Sequence, residues 1–239
     1  MAKSASSQGS VSTARLILLP ALISVAVTTL RLVGELQHWS SRWFSTDTGG
    51  IVPDGVSWVI GISWMAPLFG LYFALRLAPE HGPANPSKAV GWSLAGVFLL
   101  LSFRYFVLPG INTGFPRILI FIWIAMAGPA LLQAIGWPAL FKTLLTYALA
   151  ARVPVVMVMF FALRGEWGTH YDYVGMPAEF QMPFWPRFFW LAFFPQLIFW
   201  VGFTILTGAL TGTLAYAIFG KRLSRRLTAQ SAVILGEGV

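Results

Sequence analysis

The stretch "YALAARVPVVMVMFFAL", residues 147–163, holds one charge, Arg152, in seventeen residues. A helix of a soluble protein keeps a polar face, and this run has none. Val153 to Leu163 is too short to span a bilayer alone, so Arg152 cannot be shifted to a helix end. A charge at the bilayer centre costs at least about 2.5–3.5 kcal/mol on insertion scales, so it turns toward other protein. The stretch therefore predicts a bundle of helices in a membrane, with Arg152 facing inward. Pro154 frees a backbone carbonyl near Ala150. That carbonyl, Gln133, Gln196, Tyr105 and Thr146 are the candidate partners, because no acid lies at matching depth in the apolar segments.

Composition agrees. Hydrophobic residues make up 57% of the 239 and charged residues 10%, against about 25% charged in a soluble domain. A membrane helix needs about 20 mostly apolar residues. Six segments meet this: Leu16 to Leu36, Gly55 to Leu77, Ala89 to Leu108, Ile118 to Ala134, Ala139 to Leu163, and one within Phe188 to Phe219. Clusters of Gly, Pro and Asn such as "DTGGIVPDG", "APEHGPANPSK" and "LPGINTGFP" separate them. The expected fold is all-α: one polytopic bundle of six transmembrane helices over 15–220. It is flanked by a polar, disordered tail at 1–14 and a basic tail at 221–239. Lys3 and Arg15 before "LILLPALISVAVTTL" imitate a signal peptide, but "RLVGELQHW" follows where a small-residue cleavage site would stand. The first segment therefore reads as an uncleaved helix.

Charge sets the orientation. Lys3, Arg15, Arg76, Lys88, Lys142 and the tail residues Lys221, Arg222, Arg225 and Arg226 fall on one side. Arg42, Arg117, Arg164 and Arg187 fall on the other, with nearly all the acids. The positive-inside rule then puts both termini in the cytoplasm, in a bacterial inner membrane. The net charge of +8 is accounted for by loops and tail, so nucleic acid is not an expected partner. The expected partners are lipids, with Lys221, Arg222, Arg225 and Arg226 drawing anionic headgroups at the cytoplasmic face. A small polytopic chain also leaves room for a membrane-protein partner.

Small residues recur at spacing four: Ser57 and Gly61; Ala66, Gly70 and Ala74; Gly91 and Ala95; Gly208 and Gly212. Such rows let helix backbones approach closely. Phe184 to Trp200 holds nine aromatics, which reads as an interfacial belt rather than a ligand platform. Phe188 to Phe219 is too long for one crossing, so its first part is expected along the outer interface, with a bend at Pro195 and Gln196.

Ionisable residues gather in "GEWGTHYDYVGMP", residues 165–177, an expected outer loop. Glu35 and His38, three apart at the end of the first helix, reach the same face. Glu35, His38, His170 and Asp172, with Glu166, are thus the candidates for an acid–base or divalent-metal site. The favoured reading of this cluster is a structural one: the loop covers the helix ends, the two His rings turn to separate neighbours, and His170→Gln is nearly silent. No metal or cofactor is expected. Cys is absent, and no nucleotide-binding, zinc-protease or hydrolase motif occurs. Three function classes follow, in order: a non-enzymatic membrane subunit or scaffold, a transporter or channel for a small anionic solute using Arg152, and a membrane enzyme with an outer-face Glu/His/Asp site.

Overall fold

The computed structural model describes residues 12–46, 57–173 and 181–220. Six helices account for most of them: α1 (Thr13–Leu36), α2 (Met65–His81), α3 (Pro86–Gly110), α4 (Arg117–Gly136), α5 (Pro138–Gly165) and α6 (Phe184–Gly220). All except α2 are long and apolar enough to cross a membrane. At 17 residues, α2 is about 26 Å long, a little under the thickness of a hydrocarbon core. Among the described residues there is no strand.

The second segment starts later than expected. The expected start at Gly55 lies outside the described residues; a tight turn runs over Ser57–Ile60 and α2 begins only at Met65. Gly61 and Ser63 fall in this irregular stretch, where Met65 N–H reaches the Ile62 carbonyl at 3.3 Å. Non-helical backbone at membrane depth survives where protein covers it. Ile62 packs against both hydrophobic clusters of the core.

Helix six also departs from expectation. Its helical winding runs unbroken from Phe184 through Pro195 and Gln196 to Gly220. The winding widens to i→i+5 at Phe188–Phe193 and again at Pro195–Trp200. Such turns absorb the N–H that Pro195 lacks without ending the helix. The first part of α6 lies on α5, with Phe188 and Ala192 packed among Val155, Met159 and Leu163. Phe184 and Phe188 set their edges against Phe160 at 5.4 and 5.3 Å, and Trp190 stacks on Trp123 at 5.2 Å. Phe188 is therefore core, Phe184 and Phe193 pack against it half-buried, and Trp185 and Phe189 remain exposed.

The closest helix pair is α2 with α6. Ala66, Gly70 and Ala74 meet Gly208 and Gly212, so two of the small-residue rows face each other. A Cβ on Gly70 would collide with the backbone of Gly208, and one on Gly212 would lie 2.8 Å from the Gly70 carbonyl oxygen. Gly91, in a third row, faces open space. Polar side chains tie the other helices. Ser24 and Tyr147 share a 2.8 Å bond between α1 and α5. Ser93 donates to Gln133 at 2.9 Å and accepts from Thr213 at 3.2 Å, linking α3, α4 and α6. Thr211 donates to the Pro67 carbonyl at 2.8 Å.

Gly70→Ala should therefore force α2 off α6 and destabilise the fold by about 1–3 kcal/mol or more, as overpacking does. Gly91→Ala should leave stability unchanged or slightly raised. Thermal unfolding in detergent, followed by circular dichroism, checks the contrast.

Candidate functional site

Two clusters of ionisable side chains result from this packing. The first lies where α1 and α5 end together. Glu35 is 2% exposed, in the last turn of α1. Its carboxylate accepts from Arg31 Nε at 2.8 Å, from the His170 backbone N–H at 3.0 Å and from the ring Nδ1 of His170 at 2.6 Å. Arg31 is one helical turn before Glu35, so their pairing is local. His170 comes from 135 residues away.

The loop that carries His170 is built by its own side chains. Thr169 and Asp172 form a reciprocal cap around the short turn His170–Asp172. Asp172 accepts from the backbone N–H groups of Gly168 at 2.9 Å and Thr169 at 2.6 Å, and from the Thr169 hydroxyl at 2.8 Å. Gly168 has φ +71°, the left-handed region that Gly enters without strain. Tyr171 donates to the Thr28 carbonyl of α1 at 3.2 Å, and Tyr173 donates to the Leu191 carbonyl of α6. The loop is thus fastened to both neighbouring helices. Burial pushes the phenols of Tyr171 and Tyr173 well above their ordinary value, so both stay protonated donors.

The site candidates separate. Glu35 and His170 meet. Asp172 spends its oxygens on its own loop. Glu166 terminates α5 in a left-handed conformation and is exposed. His38 is also left-handed and exposed, because α1 stops at Leu36 and the i,i+3 relation to Glu35 is lost. The tie from His38 to Glu35 is between backbones, N–H to carbonyl, at 3.1 Å. Among the described residues no group of three His, Asp or Glu side chains has the arrangement to hold a metal ion. Lys221, Arg222, Arg225 and Arg226 lie outside the described residues.

The second cluster surrounds Arg152, at the middle of α5 and 5% exposed. Nη1 donates to Gln196 Oε1 at 3.2 Å, and Nη2 donates to Ser63 Oγ at 3.3 Å. The guanidinium stands over the Trp200 ring, 4.8 Å from its centroid. Of the five expected partners, only Gln196 takes part. Gln133 is engaged by Ser93, Thr146 bonds back to the Lys142 carbonyl, and Tyr105 is exposed. Ser63 and Trp200 escaped sequence reading. Ser63 belongs to the irregular turn before α2, and Trp200 ends a stretch of wide winding in α6. The site is a cation held by a neutral amide, a hydroxyl and a π face.

His170 and Glu35 give a pH dependence with a definite sign. Burial holds the His170 imidazole below its ordinary value of 6.5, and the nearby Arg31 cation acts the same way, against the pull of Glu35. Arg31 already neutralises Glu35, so a neutral His170 donating Nδ1–H completes the cluster. With the folded-state value lowered, the unfolded chain takes up the proton first. Stability is full above about pH 6.5 and is lost as pH falls through the lowered value. The melting temperature in detergent should fall between pH 7.5 and 5.5, and His170→Ala should flatten that slope. Removing the His170 side chain by the Ala substitution should also carry a cost of its own. It leaves a buried carboxylate short of donors, at about 1–3 kcal/mol.

Compared with protein-family models, curated proteins and solved structures, the chain matches none, so no relative supplies a role for either cluster.

Proposed function

We propose that this chain is a multi-pass protein of a bacterial inner membrane that works as a non-enzymatic subunit or scaffold. In this reading a single domain of six transmembrane helices has both termini in the cytoplasm. The basic tail, with Lys221, Arg222, Arg225 and Arg226, rests on anionic headgroups. The supporting observation is how the buried polar side chains are used. Ser24, Tyr147, Ser93, Gln133, Thr213, Arg152 and Glu35 each bond to another helix or loop. Each of these groups holds elements together, as a framework requires.

One observation favours a second reading, passage of a small anionic solute. Among the described residues, Arg152 has neutral partners alone in the interior. An intramembrane cation without a counter-ion is the chemistry that attracts an anion.

Reconstitution in liposomes separates the two. A scaffold shows no flux of chloride, phosphate or acetate above that of empty vesicles. Arg152→Leu then only destabilises, by about 1–3 kcal/mol for the partners left unpaired. Flux by the native chain that is lost in a well-folded Arg152→Lys variant would move the assignment to the second reading, because Lys cannot reproduce the planar fork. For orientation, a reporter fused at Gly236 should be active only in the cytoplasm, and one inserted at Trp167 only in the periplasm.

A further inference from the structure

A third group of cations has no place in either cluster. Arg187, in the first turn of α6, donates Nη2 to the Leu163 carbonyl at 2.9 Å, capping the C-terminal end of α5. Its Nε is buried and has no hydrogen-bond partner; among the described residues it is the only buried side-chain nitrogen or oxygen left so. Arg164, next in sequence to Leu163, is exposed and lies 5.9 Å from the centre of the Phe184 ring. Phe184 is one turn before Arg187 on the same side of α6, so both arginines flank one spot. Among the described residues no ion pair joins either of them to an acid.

The surroundings of that spot are lipid-like. Phe161, Trp185 and Phe189 are exposed on the same end of α5 and α6. Phe160 links them to the buried side, with Phe161 at 5.4 Å and Trp185 at 6.3 Å. Aromatic rings of this kind sit at the level of lipid headgroups. A helix C-terminus accounts for one guanidinium. It does not account for a second.

We propose that Arg164 and Arg187 bind the phosphate of an anionic phospholipid, with its acyl chains along Phe161, Trp185 and Phe189. Phosphodiester oxygens are acceptors for the exposed Arg164 guanidinium and for the accessible part of the half-buried Arg187, and guanidinium forks match phosphate geometry. Two cations without acids favour a headgroup with net negative charge over a zwitterionic one. The site does not depend on which way the bundle crosses the membrane, because it is defined by the shared end of α5 and α6.

Native mass spectrometry of the full chain in detergent, titrated with phosphatidylglycerol or phosphatidylethanolamine, tests this. The native protein should retain one phosphatidylglycerol in preference to phosphatidylethanolamine. Arg187→Gln and Arg164→Gln should each weaken that retention about tenfold, the loss of one charge-assisted hydrogen bond. Arg164 is exposed, so its variant keeps the native melting temperature and reports on binding alone. Equal retention of phosphatidylglycerol by native protein and the Arg164→Gln variant would overturn the proposal. Release of the lipid by millimolar inorganic phosphate would also overturn it, by showing a site for a soluble anion.

Discussion

Hydrocarbon offers no hydrogen bonds, and most features of this chain follow from that. Every polar group inside the bilayer must find its partner within the protein. The chain meets the requirement with a few cross-links between helices, not with a broad polar core. Ser24 with Tyr147, the Ser93–Gln133–Thr213 chain and the Arg152 cluster each join helices far apart in sequence. Between these links the contacts are apolar, and they are non-directional. The polar bonds therefore decide which faces meet.

Close approach provides the rest of the cohesion. In lipid, helices gain little by hiding apolar surface from the solvent, so packing has to come from backbone proximity. The glycines of α2 and α6 supply it. Wide winding in α6 does complementary work, because each i→i+5 turn shifts the register of the aromatic side chains. The shift lets Phe188 and Trp190 reach α5 and α4 while Trp200 turns to Arg152.

The two ionic clusters behave differently because their settings differ. Glu35 ends a helix next to a loop, so backbone N–H, guanidinium and imidazole donors can all converge on it. The outcome is a charge-balanced lock between α1 and the loop after α5. Arg152 sits at mid-helix, where the neighbours are apolar helices and one irregular turn. Among the described residues only neutral groups bond to it there. That contrast is why the first cluster explains stability and the second invites a question about anions.

The sequence alone determined that this is an all-helical chain suited to a membrane, because the length and apolarity of a segment need no partner to be read. Four of the expected segments appear as long helices within a few residues of their expected ends. The inward position of Arg152 was legible for the same reason: cost in lipid is a local property. Tertiary structure decided what depends on distant meetings. The late start of α2, the unbroken course of α6 and the choice of Ser63 and Trp200 for Arg152 all follow from how one helix fills the space left by others. The separation of His38 from the Glu35–His170 pair turned on a single left-handed residue just past the end of α1. Which side chains share a site is thus set by where helices stop and how they wind, and those are settled by packing.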